Sequence, residues 1–240
     1  MHFSDRGTHA GHRLLSPLVL TFCAAEATLG ILLQILHGDA VIWTSFGAVV
    51  LACLFCTRSF QKTAVYALTQ LALVCTVCAD FFLLVHPEQP QFTAMLFFSV
   101  TQLSYFARIY LEDTSKKRRL VHAVLRLALP LLALLLTLLV LGGGADRVAL
   151  ISMFYFANLL LNVVFAFLVG KRPTPLAIGL TLFALCDVFV GLSLLDGYLP
   201  VAEGSLLDHL AHPGFNLAWV FYVPAQTLLA LSLHKKTDRV

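Results

Sequence analysis

Eight long apolar stretches, each closed by charge, proline or glycine, constrain this chain more than any other feature. Crossing the roughly 30 Å hydrocarbon core of a bilayer takes about 20 mostly apolar helical residues. The stretches run approximately Leu14 to Leu36, Ala40 to Thr57, Thr63 to Val85, Phe92 to Ala107, Leu120 to Leu141, Val148 to Val169, Pro175 to Leu195 and Gly214 to Leu233. The fourth reads short. Turn signals occupy the gaps: His37-Gly38-Asp39, His86-Pro87-Glu88, Gly142-Gly143-Gly144 and Lys171-Arg172-Pro173. No gap can hold a soluble domain, so residues 1–240 read as one all-α integral membrane bundle of eight transmembrane helices. Composition agrees, with 59% hydrophobic and 12% charged residues against about 45–50% and about 25% in soluble domains. Arg6 and Arg13 before the first stretch, with Ala25-Glu26-Ala27 inside it, mimic a secretory signal. Cleavage there would strand the apolar half-segment Thr28 to Leu36, so the first stretch is read as a retained span.

Charge sets the expected orientation, because Lys and Arg concentrate in cytoplasmic loops. With the amino terminus inside, inward segments hold Arg6, Arg13, Arg58, Lys62, Arg108, the run Lys116 to Arg119, Lys171, Arg172, Lys235, Lys236 and Arg239, fourteen of the sixteen basic residues. Only Arg147 faces outward, and Arg126 lies within span five, from which it is expected to snorkel to the cytoplasmic surface. Both termini are therefore expected to be cytoplasmic. The basic run suits anionic lipid heads, and a net charge of +3 gives no reason to expect a nucleic-acid partner. The absence of a eukaryotic sorting extension points to a bacterial cytoplasmic membrane.

Two Cys-x-x-Cys pairs, Cys53/Cys56 and Cys75/Cys78, carry zinc-like spacing. Span two reaches its pair near the cytoplasmic end and span three reaches its own near the outer end. At 1.5 Å per residue the pairs fall roughly 10–20 Å apart in depth, too far for one ion with bonds of about 2.3 Å. All six cysteines, including Cys23 and Cys186, are read as small packing residues. The nine histidines map to the membrane boundaries: His37, His86, His209 and His212 outside, and His2, His9, His12, His122 and His234 inside. An outer-face metal site of Asp208-His209-x-x-His212 with His37 or His86 is the one metal reading left, and the reading adopted has no metal and no cofactor.

Three carboxylates fall inside spans: Glu26, Asp80 and Asp187. A central acid costs at least about 2.5–3.5 kcal/mol on insertion scales, so intramembrane acids mark functional sites by default. Asp80 and Asp187 lie in spans three and seven, which share a direction, and both fall between the centre and the outer end. Cys78-Ala79-Asp80-Phe81-Phe82-Leu83 can be set against Leu185-Cys186-Asp187-Val188-Phe189-Val190. In each following span a glutamine stands four residues after an aromatic, Phe98 to Gln102 and Tyr222 to Gln226. Spans one to four and five to eight thus suggest a 4+4 duplication that brings both Asp helices to one cavity. The competing reading makes both acids packing groups satisfied by Ser99, Asn158 or Gln226. Asn158 and Asn162 share a face of span six, and Pro130 and Pro224 are expected to kink spans five and eight.

With these residues in hand, the chain resembles the YhhN family of eight-span membrane proteins, whose animal members are lysoplasmalogenases. The resemblance rests on the span count, on Cys78-Ala79-Asp80-Phe81-Phe82-Leu83-Leu84, on Leu182-Phe183-Ala184-Leu185-Cys186-Asp187, and on the closing Phe221-Tyr222-Val223-Pro224-Ala225-Gln226-Thr227-Leu228-Leu229-Ala230. Where it leads one to look for a His before the span-four Tyr, this chain carries Gln102-Leu103-Ser104-Tyr105. The resemblance implies hydrolysis of the vinyl ether bond of a lysophospholipid, giving a fatty aldehyde and a glycerophospho-head group. Such a bond hydrolyses by protonation at carbon and capture of the oxocarbenium ion by water. One of Asp80 and Asp187 would serve as general acid, and the other, ionised, would stabilise the cation and activate water, as paired carboxylates do in glycosidases. Gln102, Tyr105, Asn158, Tyr222 and Gln226 are the candidate groups lining the lipid. The alternative is a non-enzymatic transporter or lipid-binding sensor that uses the same acids.

Overall fold

The computed structural model describes residues 16–58, 63–86, 88, 90–170, 174–211 and 215–233, which form helices and short connections with no strand among them. In chain order the helices are α1 (Pro17–Ile35), α2 (Asp39–Arg58), α3 (Ala64–Asp80), α4 (Gln91–Glu112), α5 (Lys116–Leu141), α6 (Arg147–Val169), α7 (Pro175–Ser193), the short α8 (Leu206–Ala211) and α9 (Leu217–Leu231). A π-helical turn, Phe81–Val85, prolongs α3. Helix starts follow local chemistry. The hydroxyls of Ser16, Thr63, Ser115 and Thr174 and the carboxylate of Asp146 each accept a backbone N–H from the first turn that follows, satisfying donors the helix itself leaves open. Pro17 and Pro175 stand at the first helical position, where a missing N–H costs nothing.

Among the described residues, six helices are long and apolar enough to cross a membrane: Pro17–Ile35, Asp39–Thr57, Ala64–Val85, Lys116–Gly144, Arg147–Val169 and Pro175–Ser193. Large apolar side chains face outward along them, as on α5, where Leu127 is 72% and Leu139 79% exposed. In water such a surface would aggregate, whereas against lipid tails it is solvated. The fourth stretch is longer than its hydropathy indicates. α4 runs from Gln91 through Glu112 because Ser99, Thr101, Gln102, Ser104 and Arg108 point into the bundle, and inward polar groups lower hydropathy without ending a helix. α9 has 15 residues and carries Pro224 inside it, and α5 likewise continues through Pro130. Lys62, Lys171, Arg172, Lys235, Lys236, Arg239, Arg6 and Arg13 lie outside the described residues.

The most extensive packing is α7 on α9 and α3 on α4, followed by α4 on α6 and α5 on α6, with α1 lying against α2 and α9. The α7–α9 approach depends on Gly179. A Cβ there would come within 3.0 Å of Leu229 Cγ and 3.2 Å of the Ala225 carbonyl. We call the end where α1 begins and α9 finishes the terminal end, and the opposite one the far end.

Three expectations fail in the terminal half of the bundle. Arg126 does not snorkel. Its Nη1 donates to the Asn158 carbonyl at 3.0 Å and to Asn158 Oδ1 at 2.7 Å, and its Nη2 donates to Asn162 Oδ1 at 2.5 Å and to His122 Nε2 at 3.1 Å. The guanidinium also lies 4.5 Å over the Phe106 ring. Asn158 and Asn162, one turn apart, present two amide oxygens to a planar fork, so bending outward would break more hydrogen bonds than hydration at the surface requires. Nor is His122 a boundary histidine: it is 1% exposed, stacked on Phe165 at 3.7 Å and edge-on to Phe106 at 4.7 Å. Arg108, expected in a loop, sits within α4 at 3% exposure and donates to Thr69 Oγ1, Ser232 Oγ and the Ser232 carbonyl.

Candidate functional site

Asp80 is the last residue of α3, where the α-helix gives way to the π turn. Such turns widen a helix locally and recur at functional sites. The Asp80 side chain is buried, and its Oδ2 accepts a 2.6 Å hydrogen bond from the Tyr222 hydroxyl of α9. Asp187, in the middle of α7 and only partly buried, receives the Tyr155 hydroxyl of α6 on its Oδ2. Each acid is therefore held by a tyrosine from a neighbouring helix, and none of Ser99, Asn158 and Gln226 serves as the partner. Ser99 bonds the Met95 carbonyl, and Asn158 is occupied by Arg126.

The two pairs share one aromatic wall. Phe98 lies 5.5 Å from Tyr155 and 5.9 Å from Phe183, and Phe183 lies 5.5 Å from Tyr222. Asp80 and Asp187 lie within electrostatic reach of one another, and Tyr155 senses both. The sites form a four-helix arrangement, α3 and α9 on one side and α6 and α7 on the other, with two acids and two phenols inside an apolar shell. Chemically, each phenol steadies one carboxylate oxygen and leaves the other free to bind, donate or accept a proton.

The remaining candidates divide. Tyr222 joins the acids. Gln102 is fully buried but turned to α6, its backbone carbonyl and Oε1 both accepting from Asn162 Nδ2. Tyr105 is fully buried with its hydroxyl unpartnered, and it makes no hydrogen bond to either acid. Asn158 belongs to the Arg126 network. Gln226 is buried one turn from Tyr222 on α9, with both amide heteroatoms unpartnered. Tyr155 is the residue that reasoning from sequence missed. A signal for it existed, since Tyr155, Asn158 and Asn162 fall on one helical stripe.

At the far end, α1, α2, α7, α8 and α9 enclose a cavity of about 650 Å³. Its lining includes His37, Gln34, Phe189, Asn216 and Ala218, and neither Asp80 nor Asp187. Ala218 is one helical turn from Tyr222, so the cavity floor approaches the Asp80 pair along α9. No three His, Cys, Asp or Glu side chains converge for a metal among the described residues. His209 Nδ1 pairs with the Ser205 carbonyl, and His212 lies outside the described residues.

The profile of the YhhN family matches residues 17–233, nearly the whole of the described bundle. The chain belongs to the YhhN family. This YhhN protein matches no curated protein and no solved structure. Both aspartates, both tyrosine partners and the Arg126 network lie within the matched region.

Proposed function

We propose that this YhhN protein is a membrane-embedded lipid hydrolase that cleaves the vinyl ether bond of a lysoplasmalogen, with Asp80 and Asp187 as its acid and base. The observation that carries the reading is the pair of tyrosine-bound aspartates joined through the Phe98 and Phe183 rings. A structural role needs one satisfied acid, whereas two acids with free second oxygens match a reaction that passes a proton in and another out. Family membership is consistent with this chemistry.

Accessibility suggests the division of labour. Asp187, the less enclosed acid, meets the alkenyl chain and delivers its proton to the carbon β to the ether oxygen. The adjacent carbon becomes an oxocarbenium ion, stabilised by the ionised Asp80. Asp80, enclosed and steadied by Tyr222, takes a proton from the water that attacks the cation. The hemiacetal so formed collapses to fatty aldehyde and the glycerol hydroxyl. Proton transfer from Asp80 to Asp187 then restores the starting state. In this reading α4 and α9 complete eight crossings, both termini lie in the cytoplasm of a bacterial cell, and the two Asp helices belong to a 4+4 repeat.

The test is aldehyde release from lysoplasmalogen by the purified protein in lipid nanodiscs. Asp80→Asn and Asp187→Asn should each abolish it while the protein elutes as the folded species. Release unchanged in both variants would overturn the mechanism. No turnover by the wild type, with pH-dependent lipid binding lost in both variants, would replace the hydrolase by a sensor or transporter.

A further inference from the structure

Glu26 takes no part in the aspartate chemistry, yet it is among the most enclosed side chains of the bundle. It lies at the middle of α1, is 2% exposed, and neither carboxyl oxygen has a protein partner. Gln226 of α9 is 1% exposed, and its Oε1 and Nε2 are equally unpartnered. The register of the two antiparallel helices places them at one level. Gln34 donates to the Asn216 carbonyl at 3.3 Å, and the Cβ position of Gly30 faces Val223 at 3.7 Å. One further turn toward the terminal end puts Glu26 at the level of Gln226. Four unpartnered buried polar atoms thus fall at one level of the α1–α9 packing, where buried polar groups as a rule find partners, and two to four such atoms are what an internal water requires.

The two ends of the seam differ, the far end being lined by Leu33 and Val223, which pack with Leu29 and Trp219. Toward the terminal end, Phe22 of α1 stacks on Phe55 of α2 with ring centroids 3.9 Å apart. Toward the far end, Gly30 presents no side chain, and beyond it Gln34 and Asn216 line the cavity of about 650 Å³. On the other face of this level, Gln226 stands four residues from Tyr222 and hence on the same side of α9, which leads to Asp80.

We propose that Glu26 and Gln226 form an internal hydration site, separate from the aspartate pair and fed from the far-end cavity past Gly30, that supplies water to Asp80. The site itself stands on the packing alone, whereas its role in supply rests on the hydrolase reading. A reaction that consumes water inside a lipid-filled enclosure needs a route that the lipid chain does not block. The α1–α9 seam runs behind Tyr222, away from Asp187.

The test is water-edited solid-state NMR on protein labelled with 13C at glutamate in bilayers. The chain has only four glutamates, Glu26, Glu88, Glu112 and Glu203, and the isosteric Glu26→Gln variant assigns the Glu26 carboxyl signal by its loss. Magnetisation should pass from water to that carboxyl nearly as fast as to exposed Glu203. Gly30→Leu, which fills the seam one turn from Glu26 and keeps its carboxyl, should slow the transfer several-fold. In turnover assays Glu26→Gln and Gly30→Leu should each lower kcat about tenfold with KM unchanged. No transfer to Glu26 overturns the site, and transfer untouched by Gly30→Leu overturns the route. Hydration with unaltered kcat in an active enzyme overturns the supply role. Hydration in a protein that cleaves no lipid leaves the site standing and removes the hydrolase.

Discussion

Replacing Tyr222 by Phe removes one hydroxyl and nothing else. The ring keeps its edge contacts with Phe183 at 5.5 Å and Trp219 at 5.6 Å, so the bundle should fold unchanged. What is lost is the 2.6 Å hydrogen bond to Asp80 Oδ2. With Tyr222 4% and Asp80 2% exposed, bulk water cannot replace it. A hydrogen bond to a charged group contributes about 1.5–3 kcal/mol, and each 1.36 kcal/mol in a barrier is tenfold in rate. If Asp80 works as the ionised partner of the oxocarbenium ion, kcat should fall roughly 10- to 150-fold by that conversion. KM should hold, because the tyrosine touches the acid and not the lipid. Aldehyde release at saturating lysoplasmalogen in nanodiscs measures the effect. A single variant within twofold of wild type would refute the argument.

Three further outcomes follow from the packing. Arg126→Met should destabilise the bundle by about 1–3 kcal/mol, the cost of leaving buried polar partners unpaired, seen as a lower midpoint of thermal unfolding in detergent. A snorkelling arginine would show almost no change. Gly179→Val should loosen α7 from α9, because its Cβ alone meets Leu229 Cγ at 3.0 Å. Overpacking of this kind costs about 1–3 kcal/mol, and a thermal midpoint equal to wild type would show that the helices separate freely. At the α4–α5 connection, the Arg118 guanidinium holds the Asp113 carboxyl below the usual carboxylate range. A depressed acid stabilises the fold above its unfolded value of about 3.9, and this contribution is lost as pH falls through the lower folded value. Protection from hydrogen exchange at residues 112–118, taken relative to the intrinsic rate at each pH, should therefore be high at neutral pH and fall only in strong acid, whereas Asp113→Asn should be poorly protected at both. A pH-independent wild type would contradict this.

The contrast between Asp80 and Arg126 shows what was legible. Both are charges inside apolar spans. For Asp80 the insertion cost of a buried acid drew attention to the residue, and Tyr222, which proves to be its hydrogen-bond partner, was already among the candidates. For Arg126 the default of snorkelling failed. Snorkelling is a property of one helix against lipid, and Arg126 instead faces a second helix whose Asn158 and Asn162 compensate it. The short reading of α4 failed for a related reason: hydropathy averages over all faces of a helix, and cannot tell a polar residue turned inward from one that ends a span. Tyr155 escaped because a tyrosine in an apolar span carries no insertion cost that demands explanation, and only the proximity of Asp187 gives it a role.

The sequence by itself determined that this is a membrane protein built of helices, where most of those helices begin and end, which carboxylates lie inside them, and which family the chain resembles. All of these depend on composition and local spacing, through hydrocarbon thickness, helix rise and capping chemistry. Which groups meet was decided by tertiary structure alone. The pairing of Asp80 with Tyr222, of Asp187 with Tyr155, of Arg126 with two asparagines, and the level at which Glu26 meets Gln226 all join residues far apart in the chain. Their contact depends on helix rotation and register, which close packing at positions such as Gly179 fixes and local spacing does not encode.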